Sequence, residues 1–230
     1  MKRFTALLKL DFLLIARNNI LTISIIITAL YIAAFKLLAM EGADVLYIIL
    51  IFTDPVMLGF MFTGVLVLFE KMSGTIKAIW VSPVSPDAYL WSKALCLAFL
   101  ALICSVAMII AAKGFHFNMM PFVWTVLFSS LLFVFLGYAG VSKVNTFNQY
   151  VLVLPLAFMP ACLPFLNFFE LTDWLIWYIF PTQASLILFD YALGGVYESW
   201  EIIYAYAYLP LCTFFAWMLA RRLFVNNINK

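Results

Sequence analysis

Six stretches of mostly apolar residues run along the chain, separated by short polar segments: Ile20–Ala39, Val45–Phe69, Ala94–Ala112, Pro121–Val141, Phe147–Phe168 and Ile202–Ala220. Each is long enough for a helix that crosses a bilayer, which takes ~20 apolar residues. Ahead of the first lies a different pattern. In residues 3–16, Phe4, Leu7, Leu8, Leu14 and Ile15 alternate with polar positions, and Lys2, Arg3 and Lys9 can reach lipid headgroups. That pattern predicts an elbow helix lying in the membrane interface. Asp11 breaks it, because it does not share the face of Lys2 and Lys9. No uninterrupted apolar run precedes a small-residue cleavage site, so the segment is not read as a signal peptide.

One apolar stretch fits less simply. Trp174–Leu193 is long enough to cross, but Pro181, Thr182 and Gln183 interrupt its middle and Gly194 and Gly195 close it. Broken backbone at membrane depth is tolerated only where protein or water covers it. Two short helices meeting near Pro181 account for the pattern, giving a re-entrant segment over residues 171–197.

Composition makes the membrane assignment firm. Of 230 residues, 67% are hydrophobic and 10% charged, with a mean hydropathy of +1.10. Soluble domains run at about 45–50% apolar and ~25% charged. A soluble enzyme, a nucleic-acid binder and a disulfide scaffold are excluded. The four cysteines, Cys96, Cys104, Cys162 and Cys212, lie in apolar stretches without a CxxC pair and read as packed thiols.

The net charge of +2 hides a strong asymmetry. With six crossings and the N-terminus inside, the inner side holds Lys2, Arg3, Lys9, Arg17, Lys71, Lys77, Lys93, Lys143, Arg221, Arg222 and Lys230, 11 of the 13 cations. The outer side holds Glu41, Asp44, Glu170, Asp173, Asp190, Glu198 and Glu201. Cation bias sets orientation, so both termini are expected in the cytoplasm of a cell membrane. A seventh crossing would place Arg221, Arg222 and Lys230 outside. Trp124, Trp174, Trp177 and Trp200 then fall at the outer interface and Trp80 and Trp91 at the inner one, where indoles are favoured.

Recognisable catalytic machinery is missing. There is no phosphate-cradling GxxxxGK[ST] loop and no HExxH, and His116 is a single histidine that cannot build a metal site. No metal or catalytic residue is assigned.

The first inner loop, residues 70–93, is the most informative. Gly74 permits a turn and Thr75 can cap a short helix. Ile76, Ile79 and Trp80 then share one apolar face. Pro83 stops that helix, and Ser85 followed by Pro86 starts the next span. A helix held this way suits a groove on a partner protein. A plain interfacial helix anchored by Trp80 and Trp91 gives the same pattern.

This loop carries a resemblance. Glu70-x-x-x-Gly74-Thr75, then Ser82-Pro83-Val84-Ser85-Pro86, Tyr89 and Lys93, resembles the loop between spans two and three of type-2 ABC exporter permeases. The likeness extends to the elbow helix, six spans and a re-entrant outer segment before the last span. Downstream, Val144-Asn145-Thr146-Phe147-Asn148-Gln149-Tyr150, the proline-rich fifth span and Tyr178-Ile179-Phe180-Pro181-Thr182-Gln183 are similar to permeases labelled as fluoroquinolone exporters.

The resemblance implies an all-α membrane protein with one permease domain over residues 1–230. It implies that Gly74, Thr75, Ile76, Ile79, Trp80, Ser82 and Pro83 dock on a separate ABC ATPase subunit, with Glu70 tying the loop to neighbouring helices. Mg-ATP would then belong to that partner, and this chain would bind no cofactor. A second permease copy or paralogue would complete the unit, and the cargo would be an amphipathic small molecule such as a drug or toxin.

Candidate route residues are read from the chain itself. Asp54-Pro55 sits inside the second span. A mid-membrane carboxylate costs ~2.5–3.5 kcal/mol on insertion scales and usually faces protein or water. It is either a cavity group for a cationic substrate or a packing residue. Pro155, Pro160 and Pro164 in the fifth span, with Pro181 and Gln183, suggest an outer gate of irregular backbone. A structural bend serves equally. Two other functions stay open: a proton-coupled transporter using Asp54, with Lys36 as the nearest second titratable group, and a membrane enzyme or assembly factor without cargo.

Overall fold

The structure, a computed structural model, describes residues 2–38, 44–76, 84–172 and 174–228. Among these residues every regular element is helical. Helix α1 (Lys2–Arg17) covers the segment expected to form the elbow helix and is followed by α2 (Ile20–Leu38). The second span is built in pieces: α3 (Asp44–Ile51), a π-helical turn (Phe52–Val56) and α4 (Leu58–Met72). Then come α5 (Pro86–Lys113), α6 (Met119–Val141), α7 (Phe147–Cys162) and the short α8 (Phe165–Phe168). A 3-10 turn (Leu175–Ile179) leads into α9 (Pro181–Leu193), and α10 (Ser199–Ile228) closes the bundle.

Among the described residues, five helical stretches are long and apolar enough to cross a membrane: 20–37, 44–72, 86–113, 119–141 and 199–224. The expected fifth span, Phe147–Phe168, is not one helix. Leu163 and Pro164 divide it into α7 and α8, and α7, at 16 residues, is ~24 Å long. Pro155 and Pro160 lie inside α7 without ending it. Pro164, which caps α8, falls at the break.

Helix α6 is the hub. It packs against α4, α5, α9 and α10, and its Phe122, Val126, Val134, Phe135 and Tyr138 are fully buried. Close approach to α4 depends on missing side chains. A Cβ on Gly137 would lie 2.7 Å from the Phe60 carbonyl, and one on Gly64 would lie 1.9 Å from the Tyr150 ring. Small residues at contacts let membrane helices pack backbone to backbone. The Tyr150 hydroxyl, brought in by α7, donates to the Phe60 carbonyl at 2.7 Å.

Local signals explain several boundaries. Ser85 caps α5, its hydroxyl accepting from the Ala88 N–H at 3.2 Å with Pro86 at the first turn. Thr146 caps α7, accepting from the Gln149 N–H, while Gln149 Oε1 accepts from the Asn145 N–H at 3.2 Å. This is close to a reciprocal capping box. Pro181 opens α9, and Gly194 ends it at φ +109, a left-handed conformation open to glycine. The sequence therefore placed the helix break at Pro181 correctly.

The two ends of the bundle differ in charge. Arg17, Lys71 and Arg221 mark a basic end; Asp44, Asp190 and Glu201 mark an acidic end. At the acidic end, Lys113 of α5 pairs with Asp44 of α3 at 2.6 Å. At the basic end, Arg221 of α10 pairs with Asp87 of α5 at 3.0 Å.

Candidate coupling junction and cavities

Three places gather polar groups in a chain that is otherwise mostly apolar. The first is at the basic end, where the second span stops. Glu70 is the third-last residue of α4 and is 4% exposed. Its Oε1 accepts from Lys93 Nζ at 2.7 Å, and its Oε2 accepts from the Tyr89 hydroxyl. Lys93, on α5, is fully buried and also donates to Asp11 Oδ1 of α1 at 2.9 Å. Asp11 in turn accepts from the Ser92 hydroxyl.

One cation and two carboxylates are thus sealed together with two hydroxyl donors. Buried charges persist only when paired and hydrogen-bonded, and here both acids have a charged and a neutral donor. The junction ties α1, α4 and α5 at one point. An aromatic wall covers it: Tyr89 stacks on Phe224 of α10 at 5.3 Å, and Phe224 meets Tyr138 at 5.5 Å.

Beside the junction, Lys71 donates to the carbonyls of Val141 and Val144 at 3.0 and 2.8 Å. Val141 is the last residue of α6 and Val144 lies just past it, where a cation is favoured by the helix dipole. The chain then turns at Gly74, whose φ is +72, and the Ser73 and Thr75 hydroxyls share a hydrogen bond of 2.8 Å. Ile76 is 4% exposed and packed into the core. It anchors the loop rather than lying on its free surface. Ile79, Trp80, Ser82 and Pro83, the remaining predicted docking residues, lie outside the described residues.

The second place surrounds Asp54. Asp54 and Pro55 occupy the π-helical turn, a form that interrupts helices at functional sites. Pro55 lacks the N–H that would continue an α-helical ladder. The carboxylate borders a crevice of about 20 Å³ lined also by Ser24, Thr28, Leu58, Leu97 and Cys104. That is room for roughly one water.

The third place is a cavity of about 490 Å³ at the acidic end. Its walls include Asn167, Glu170, Trp174, Tyr178, Gln183, Asp190, Tyr197, Trp200 and Glu201. Gln183, singled out from the sequence, is 4% exposed and donates through Nε2 to Asn167 Oδ1 at 2.7 Å. Asn167 also donates to the Thr172 carbonyl at 2.9 Å. Glu201 accepts from Tyr178 at 2.5 Å and Asp190 from Tyr197 at 2.8 Å. Burial, followed by the neighbouring carboxylates, pushes both tyrosine hydroxyls up, so they remain donors.

The predicted route residues do not converge. Asp54 and Pro55 line the small crevice, Gln183 lines the large cavity, and Pro160 and Pro181 line neither.

Two comparisons place the chain among known proteins. The model of the fluoroquinolones export permease protein family matches residues 2–230. The chain belongs to that family. Among curated relatives, the fluoroquinolones export permease proteins of Mycobacterium tuberculosis strains CDC 1551 / Oshkosh and ATCC 25618 / H37Rv are each 26% identical to this permease over 215 residues. The match spans 92% of this chain and 90% of each relative. Membership agrees with the downstream resemblance in residues 144–183, and with an all-helical, multi-pass membrane protein.

Sequence reasoning missed Asp11 as a site residue. It grouped Glu170, Asp190 and Glu201 by charge but did not place them around one cavity. A signal for Asp11 was present: one acid in an interfacial helix of cations and apolar residues needs a partner. Its partners, Ser92 and Lys93, are 81 and 82 positions away.

Proposed function

We propose that this permease is the transmembrane subunit of an ATP-driven ABC exporter for amphipathic drugs, and that a separate subunit binds and hydrolyses Mg-ATP. The observation that carries the reading is the sealed junction of Asp11, Glu70 and Lys93 beside the loop after α4. A force applied to that loop meets three elements joined by buried ion pairs. It would move α1, α4 and α5 as one body instead of bending a free loop.

In this reading the basic end faces the cytoplasm, following the cation bias. Helix α7 makes the fifth of six crossings, and residues 171–197 re-enter from outside. Gly74, Thr75, Ile79, Trp80, Ser82 and Pro83 meet the ATPase, with Ile76 and Glu70 fixing the base of the contact. Two permease copies, or this chain and a paralogue, enclose the route. The cargo is a fluoroquinolone-like molecule, as the relatives' names state for those proteins. It passes Asp54–Pro55, Pro160 within α7 and the helix break at Pro181 towards Gln183. Closure of the ATPases would open the route from one side to the other.

The test is purification of the tagged permease in mild detergent. A co-purifying subunit with ATPase activity supports the reading, and its absence from active preparations contradicts it.

The proton-coupled alternative needs a second titratable carrier near Asp54. Among its described lining residues, the crevice around Asp54 has no histidine, lysine (Lys36 included) or second carboxylate. Loss of export on adding an uncoupler, with ATP kept high, would revive it.

A further inference from the structure

The acidic-end cavity has the make-up of a binding site in its own right. Its volume of about 490 Å³ falls within the range that takes small organic ligands, ~300–1,000 Å³. Three carboxylates border it, from Glu170, Asp190 and Glu201, and no lysine or arginine does among its described lining residues. Among the described residues, no three His, Cys, Asp or Glu side chains come close enough to hold a metal ion. The negative charge is therefore spread around a space suited to a larger, diffuse cation.

The walls between the carboxylates are aromatic. Tyr178 and Trp200 lie 5.3 Å apart between ring centroids, and Trp174 and Tyr197 also line the space. Aromatic faces attract organic cations and stack on flat ligands.

A second feature is independent of the acids. Gln183 is 4% exposed and lines the cavity, yet its Oε1 has no hydrogen-bond partner. A buried acceptor left unpaired is costly, and a ligand N–H would satisfy it.

We propose that this cavity binds a planar aromatic cation, with Glu170, Asp190 and Glu201 supplying charge, Trp174, Tyr178 and Trp200 the stacking surface, and Gln183 Oε1 one hydrogen bond. The inference deepens the export reading, on which its physiological meaning rests: the cavity would be the site where cargo pauses on the discharge side. Binding itself is a property of the permease chain alone.

The experiment uses full-length permease in nanodiscs of neutral lipid, without any ATPase. Ethidium, a planar aromatic cation, is titrated by fluorescence, with the planar anion fluorescein as control. Saturable ethidium binding is expected, weaker at high salt, with no fluorescein binding at the same concentrations. The combined variant Glu170→Gln/Asp190→Asn should weaken ethidium binding roughly tenfold or more, given ~1 kcal/mol per nearby charge in water. Its thermal unfolding midpoint is measured alongside. Should that variant fail to fold, the salt dependence and the fluorescein control still decide. Absence of saturable binding, equal binding of fluorescein, or unchanged affinity in a folded variant overturns the proposal. None of these results touches co-purification of an ATPase, so failure here is distinct from failure of the export reading.

Discussion

Lys93 Nζ lies 2.9 Å from Asp11 Oδ1, and neither side chain is open to water. The pair joins the elbow helix to the third span across 82 positions of sequence. Glu70, at 2.7 Å on the same ammonium, brings in the end of the second span. Removing Lys93 would leave two carboxylates buried without a cation, which costs about 3–5 kcal/mol in comparable pairs. Lys93→Met should therefore lower the thermal unfolding midpoint of the detergent-solubilised permease sharply. Neutralising both acids in the same chain, with Asp11→Asn and Glu70→Gln, should recover most of that loss. A stable single Lys93→Met variant would show that the junction is not sealed as described.

The same junction separates stability from coupling. The neutralised triple variant should fold but export poorly, because weaker hydrogen bonds replace the ion pairs that join α1, α4 and α5. Export rate per inserted molecule, measured in vesicles with the ATPase present, checks this. Full activity would assign the ion pairs to folding alone.

A packing prediction concerns Gly64. The Cβ of Gly64→Ala would fall 1.9 Å from the Tyr150 ring, so the ring must leave or the helices must part. The Tyr150–Phe60 hydrogen bond would be lost with it. Overpacking of this kind costs roughly 1–3 kcal/mol. Unfolding of Gly64→Ala, Tyr150→Leu and the double variant should give strongly non-additive losses, as for residues in contact. Additive losses would place the ring elsewhere.

Much of this architecture is legible in the sequence because its cause is local. Runs of apolar residues mark the spans, Ser85–Pro86 starts α5, and Pro181 divides the 3-10 turn from α9. Glu70 is recognisable as the end of the second span. The fifth span was harder. Its apolar run continues through Leu163 and Pro164, but the helix does not: Pro164 has no N–H to bond the Pro160 carbonyl, which accepts from Leu163 instead. Asp11 and Lys93 carry no mark of each other in sequence, because their pairing exists only once α1 lies against α5. Lys93 reads equally well as one more interfacial cation. The acidic cavity is dispersed in the same way, its carboxylates coming from residues 170, 190 and 201. Asp54 was legible as an intramembrane acid, but not the small size of the crevice it borders.

Asp54 offers a prediction on selectivity. Asp54→Asn keeps the size of the side chain and removes its charge. Export of cationic substrates should fall several-fold more than export of neutral ones of similar size. Uptake and efflux of a matched cationic and neutral pair in vesicles measures this. Equal effects on both would remove Asp54 from substrate selection.

In the loop after α4, an acidic residue at the apolar docking position should break the contact. Trp80→Asp should abolish stimulation of the ATPase by the permease while leaving membrane insertion and the amount of folded protein unchanged. Wild-type ATPase stimulation and export in this variant would contradict the coupling assignment.

The most direct measurement is site-specific photo-cross-linking from positions 79 and 80 in cells that actively export. The account predicts a covalent adduct with a nucleotide-hydrolysing protein, lost when Trp80→Asp is combined with the position-79 cross-linker. Adducts that contain only lipid or permease, in cells where export proceeds, would contradict it.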